Sequence, residues 1–258
     1  MNMNMKKLSF LNLLLVLIPA VSQAQTVSGL ADDPMVGAMR EELQFNMEQL
    51  KSKPVPAYFL SLRMNDNYSA QVSSNFGVSI TGEGRSRIIT PQIRVGSPEM
   101  DNFKFENQTR SRNSYGNMSG VNVPYTDNAI MAVRQGIWSE TMKRYDIAVT
   151  NYNNALSQMK TNADNEDKAP CFSDTPVEEY YEPELPASAY SFDRRMWEEK
   201  LDRVSAVFKE CKYLEQGIAS LTYSVERIYV VTSDGSAVVQ NRVSARLMLN
   251  GVIRAADG

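Results

Sequence analysis

Several short stretches carry residue types that could do chemistry. Gly82-Glu83-Gly84-Arg85-Ser86-Arg87 has the glycines and cations of an anion-cradling loop. It lacks the spacing of a phosphate-binding loop and no helical pattern follows it, so its residues read as a hairpin turn with exposed arginines. Asp164, Glu166 and Asp167 offer the oxygens calcium needs. Their spacing is not that of an EF-hand, and a solvated acidic run is the reading they support. Glu178 and Glu179 are adjacent carboxylates, the raw material of acid–base catalysis. They sit among prolines, with no apolar pocket in view to shift a pKa. Arg85, Arg87, Arg94, Arg110 and Arg112 are the local cations. Strand alternation puts Arg85 and Arg87 on one face and Arg94 on the other, which breaks a single basic patch.

What the chain lacks excludes more. It has no histidine, which removes Ser-His-Asp and Cys-His catalysis in their usual forms and the helix-borne histidine pair of zinc peptidases. Cys171 and Cys211 are the only soft ligands, too few for an ordinary structural zinc site. No residue is assigned a catalytic, cofactor-binding or metal-ligating role. With 258 residues, 43% of them hydrophobic and 22% charged, the chain has ordinary globular composition. Its formal charge of -3 gives no basic excess for nucleic acid.

The N-terminus reads as a signal peptide, residues 1–24. Lys6 and Lys7 precede an apolar run from Leu8 to Ala20, and Ser22-Gln23-Ala24 supplies small residues for cleavage between Ala24 and Gln25. The run is shorter than the ~20 residues that span a bilayer. The expectation is an exported protein, periplasmic or extracellular, with no membrane anchor after cleavage. An oxidising compartment permits a disulfide between Cys171 and Cys211. Two free thiols, one in a linker and one on a helix, are the equal alternative.

The elements that must position these residues follow from periodicity. Asp33-Pro34 caps a helix whose apolar face is Val36, Met39, Leu43, Met47 and Leu50. From Tyr58 to Val95 the chain alternates, and punctuation at Asn65-Asp66-Asn67 and Gly82-Glu83-Gly84 divides it into three strands. Pro91 makes the third an edge strand or bulge. Residues 103–124 read as a surface loop. A long helix over about 127–161 follows, with either a kink near Gly136 or an end projecting past the sheet expected, and with Trp138, Tyr145 and Tyr152 in the core. Residues 162–191 are an acidic, proline-rich linker.

Asp193 then caps a second short helix, stapled by Phe192 and Trp197. Trp197, Leu201, Val204, Phe208 and Cys211 mark its buried face, and Gly217 is its left-handed cap. A last hairpin turns at Ser233-Asp234-Gly235. The chain therefore divides into the leader, residues 25–161, the linker 162–191, and residues 192–258 as a second helix–hairpin unit of the same domain. The fold class is α+β, with two layers: one antiparallel sheet and helices on one face.

At Arg85-Ser86-Arg87, Ile93-Arg94-Val95-Gly96 and Asp101-Asn102 the chain resembles the exported branch of the TldD/PmbA family, zinc metallopeptidases also called modulator-of-gyrase-like. The likeness continues through the long helix, the proline-rich linker, Phe192-Asp193 with Trp197-Glu198, and Tyr229 to Gly235, over about 32–258. It implies the N-terminal α+β domain only. The family's zinc site, a HExxxH helix and a later Cys, belongs to a C-terminal half, so no family catalytic residue maps onto this chain and no cofactor is expected in it. The resemblance implies a dimerisation or peptide-access role, in a homo- or hetero-oligomer with a related family member and with unfolded peptide as ligand. The chain reads as truncated before the zinc-binding half and inactive alone, or as a stand-alone exported binding or scaffold protein. If it is truncated, the final strand from Val243 is expected to expose an edge and apolar surface, with self-association or low solubility; the stand-alone reading expects a stable monodisperse fold.

Overall fold

The structure, a computed structural model, describes residues 28–104, 120–126, 129–161 and 169–253. The leader, the cleavage site at Ala24 and Gln25, and Arg110, Arg112, Asp164, Glu166 and Asp167 lie outside them.

A short helix, α1 (Ser28–Asp32), leads into α2 (Pro34–Lys51). Asp33 is the N-cap: its Oδ1 accepts from the Met35 and Val36 amides at 2.9 and 3.2 Å, two of the donors a helix start leaves unmet. The stripe Val36, Met39, Leu43, Met47 and Leu50 is buried throughout.

Next come two long strands, β1 (Ala57–Asn75) and β2 (Val78–Val95), instead of three. The hairpin turns at Phe76-Gly77, where both residues have positive φ, 49° and 81°. Asn65-Asp66-Asn67 and Gly82-Glu83-Gly84 are mid-strand, paired across the ladder. The reason is phase and pairing. Leu62, Met64, Asp66, Tyr68 and Ala70 keep one face without a break, and β1 has a partner strand on both sides here, so the ladder overrides turn-prone side chains. Pro91 sits on the outer strand of this pair, beyond the three residues that β3 covers, as its missing donor requires.

The chain continues through β3 (Val121–Val123), α3 (Ile130–Thr161), β4 (Glu179–Tyr181), α4 (Arg194–Ala206), β5 (Leu214–Thr232) and β6 (Ala237–Ile253). The sheet order is β3-β2-β1-β5-β6-β4, antiparallel except for the β4–β6 pair. β3 falls inside the stretch read as a loop, and β4 inside the stretch read as a linker. Both are three-residue strands, too short to show a period. The β5–β6 turn at Ser233-Asp234-Gly235 is where the sequence puts it, with Gly235 at φ 107°.

All the major helices pack on the same sheet face, giving the expected two-layer α+β architecture. α2 and α3 cover Leu60, Leu62, Met64, Ile89, Ile93, Tyr229 and Val231. α4 covers Val72, Ala219 and Leu221 through Leu201, with Phe192 and Trp197 alongside. Each fully buried Leu or Ile contributes roughly 1.5–3 kcal/mol.

α3 runs close to where the sequence reading puts it, and three other details depart from that reading: Trp138, the end of α4 and Gly217. α3 is about 48 Å long at 1.5 Å per residue. Gly136 serves a close approach there, since a Cβ would lie 2.6 Å from Val123. Trp138 is half exposed instead of core. α4 stops at Ala206 and tightens into a 3-10 turn over Val207–Glu210, so Val204 and Cys211 face outward. Gly217 lies inside β5, where the Phe208 side chain fills the space a Cβ would need, and is no helix cap.

Candidate functional site

The two helix-covered clusters do not meet. Between them a charged row crosses the sheet: Arg87 on β2, Asp66 on β1 and Arg227 on β5 stand in register. All three are buried. Asp66 takes Arg87 in a two-pronged pair, Nε to Oδ1 at 2.5 Å and Nη2 to Oδ2 at 2.6 Å. This is the strongest geometry available to a guanidinium and a carboxylate. Burial works to lower the Arg87 pKa, but its hydrogen bonds to Asp66 and the carboxylate charge outweigh that and hold it above its ordinary value.

Arg227 is fully engaged. Its Nε donates to the Tyr229 hydroxyl at 2.9 Å. Its Nη1 donates to the Glu182 carbonyl and the Asn241 side chain, both at 3.0 Å, and Nη2 lies 3.5 Å from Asp33. The N-cap of α2 and the end of β4 are thus tied to β5 through one side chain. Arg87 differs: its Nη1 is buried and has no hydrogen-bond partner. An unmet buried donor costs roughly 1–3 kcal/mol, and more when charged.

Arg85 lies two residues before Arg87 on the same face, as alternation requires. It is exposed, and its guanidinium carbon sits 5.3 Å from the Tyr125 and Tyr190 rings and 5.7 Å from that of Tyr68. Tyr125 also lies over Arg87, at 4.9 Å. Burial, and then the nearby Asp66 charge, push the Tyr125 pKa up. Burial and a hydrogen bond to Glu83 push Tyr68 up to about 12. Arg94 faces the other way, between the Phe103 and Phe172 rings and paired with Asp101, so the arginines form no single basic face. Glu83, Arg85 and Arg87 thus belong to a strand that carries aromatic neighbours, and only the arginines were visible in the sequence. Tyr125 comes from a segment without periodicity, which hid it.

A second feature lies at the far end of the sheet. Trp197, Leu201, Val204, Val207, Leu247 and Leu249 line an apolar groove of about 600 Å³ between α4 and β6, rimmed by Lys200 and Arg203. From Arg242 onward β6 is exposed on both faces. Its outer edge there has no strand partner among the described residues, because β4 reaches only Val239. Val243, Leu247, Leu249 and Ile253 point to the groove side and are each at least half exposed. The sequence marked these residues as an alternating strand, and alternation does not reveal that no layer covers them.

The remaining candidates scatter. Glu179 pairs with the partly exposed Arg40, and both Glu178 and Glu179 are exposed, so neither carboxylate sits in an apolar pocket. Cys171 and Cys211 are free thiols. Cys171 lies against Pro98 and Glu99, past one end of β2. Cys211 follows Phe208, which packs on Gly217 beside Asn75 at the other end. An 18-residue strand separates them by about 60 Å, far beyond the ~7 Å that a disulfide spans. Among the described residues no three His, Cys, Asp or Glu side chains converge as metal ligands, and the chain has no histidine. The residues present do not fit the zinc that the resemblance places in the other half of the family. No helix of the described residues is long and apolar enough to cross a membrane.

No protein-family model matches the chain, and no curated protein matches it in sequence. Solved structures are similar to it. TldE from Thermococcus kodakarensis has a TM-score of 0.44 and 13% identity, over 86% of this chain and 40% of that one. A protein described as a modulator of DNA gyrase from Bacteroides thetaiotaomicron has a TM-score of 0.45 and 8% identity, over 84% and 41%. Another so described, from Thermotoga maritima, has a TM-score of 0.35 and 10% identity, over 84% and 40%. The chain therefore spans about two-fifths of the length of the proteins it resembles.

Proposed function

We propose that this chain is a protein-binding domain without hydrolytic chemistry of its own. It fills the role that the TldD/PmbA resemblance gives to the family's N-terminal half, exported and joined to a family member. The observation that carries this reading is the outer part of β6. Twelve residues, Arg242 to Ile253, form an exposed strand with an open edge, and its apolar side continues into the groove beside α4. Soluble proteins cover or blunt such edges, because unpaired backbone groups recruit further strands. A binding role uses the edge, and among the described residues no cluster of metal ligands offers a competing zinc-dependent role.

Two measurements on the purified chain test this. Sedimentation should show concentration-dependent association, or a stable complex with a co-expressed family member. Hydrolysis of an unfolded protein substrate should be absent with and without added zinc. Zinc-dependent turnover would refute the non-catalytic reading. A chain that stays monomeric at high concentration and binds no family member would refute the binding one.

A further inference from the structure

We propose that Arg85 and Arg87, beneath Tyr125, form a binding site for a monovalent carboxylate. The inference stands apart from the partner-binding reading, since it concerns the middle of the sheet and not β6. It begins with the unpartnered Nη1 of Arg87. That side chain is more than nine-tenths buried, its other two nitrogens are used by Asp66, and only Nη1 is left to donate. Two residues away stands a second guanidinium, Arg85, with no ion-pair partner among the described residues. Successive same-face residues on a strand are about 7 Å apart, close enough for one small anion to meet both.

Charge and shape select the ligand. Asp66 neutralises one of the two guanidinium charges. Glu83 is held by the Tyr68 hydroxyl at 2.8 Å and forms no ion pair with Arg85. With Glu83 and Glu184 also close to these tyrosines, the two arginines keep at most one positive charge in surplus, which disfavours a dianion such as phosphate against a monoanion. The Tyr125 ring lies over both guanidinium carbons, with Tyr68 and Tyr190 beside Arg85. Flat aromatic walls around planar guanidinium forks suit a planar carboxylate, and one with an apolar or aromatic body better than acetate. The carboxylate can belong to a small organic acid or to the C-terminus of a peptide; the chemistry at the arginines is the same.

Calorimetric titration at constant ionic strength tests this with four probes: benzoate, inorganic phosphate, Gly-Gly-Phe, and the same tripeptide as its C-terminal amide. Saturable binding of benzoate or of the free-acid peptide is expected, with the amide silent. Benzoate alone assigns a small acid as the source, and the free-acid peptide binding more tightly assigns a peptide terminus. Arg85→Gln should weaken binding about tenfold or more, a loss of ~1.4 kcal/mol, while the chain stays folded with at most a small drop in melting temperature, because Arg85 is exposed and its ring contacts are its only partners among the described residues. No saturable binding of either carboxylate to the wild-type chain would overturn the proposal. So would phosphate binding more tightly than both, amide binding equal to the free acid, or an Arg85→Gln chain that binds as the wild type does.

Discussion

Asp66 and Arg87 face each other across the β1–β2 ladder, 21 residues apart in sequence, and close two hydrogen bonds of 2.5 and 2.6 Å while both are more than nine-tenths buried. The pair stands between the apolar surface under α2 and α3 and the cluster of Tyr68, Ala70 and Val225 that Leu185, Tyr190 and Phe192 cover. It also fixes the register of the hairpin, because a slip by one residue would turn Asp66 to the opposite face and leave Arg87 buried alone.

Removing one partner should therefore be costly. Asp66→Ala is expected to destabilise the fold by about 3–5 kcal/mol, since it strands a buried guanidinium. Replacing both residues, as in Asp66→Leu with Arg87→Met, should cost less than Asp66→Ala alone. Urea denaturation of the two variants checks this, and equal losses would show that the pair matters through packing only.

Tyr68 sets an alkaline limit. Burial, and then its hydrogen bond to Glu83, raise its folded pKa to about 12 from about 10 in an unfolded chain. For a raised pKa, the stabilising contribution is complete below the unfolded value and is lost as pH rises through the folded one. Stability should fall between about pH 10 and pH 12. Burial raises Tyr58 and Tyr229 as well, so the loss is shared. Tyr68→Phe should flatten part of this limb in urea midpoints measured against pH, and an unchanged limb would remove Tyr68 from the account.

The α4 helix is latched by one hydroxyl. Ser205, fully buried, exchanges a 2.8 Å hydrogen bond with Ser74 and accepts from the Gly77 amide at 2.7 Å. Asp202, one turn earlier, accepts from Ser74 as well. Ser205→Ala leaves the Gly77 donor unmet in the hairpin turn and should cost about 1–3 kcal/mol. Hydrogen exchange should show faster opening of Arg194–Ala206 and of the Phe76-Gly77 turn, with α2 and α3 unaffected.

The exposed side of β6 predicts an uncoupling of association from stability. Leu247 and Leu249 are each 60% exposed, so Leu247→Asp with Leu249→Asp should change folding stability by no more than roughly 0.5 kcal/mol per site. The same change should abolish concentration-dependent association in sedimentation. Association that persists would place the contact elsewhere, for example at the exposed Met131 and Trp138 of α3.

Local rules made much of the fold legible. Asp33 and Asp193 are the caps the sequence names, because a cap is a contact within three residues. The apolar stripe of α2, the alternating strands and the turn at 233–235 follow from the same short-range geometry. The absence of histidine, likewise a property of the sequence alone, bounds the chemistry. Tertiary structure decided what depends on partners distant in sequence. Asn65-Asp66-Asn67 and Gly82-Glu83-Gly84 have the composition of turns, yet a ladder on both sides of β1 and a buried charge pair extend them. The separation of Cys171 from Cys211 is the length of a strand that the sequence divided in two. Tyr125 over Arg85 and Arg87, and the uncovered side of β6, have no local signature. Periodicity says which residues share a face, but only the packed chain decides what lies against it.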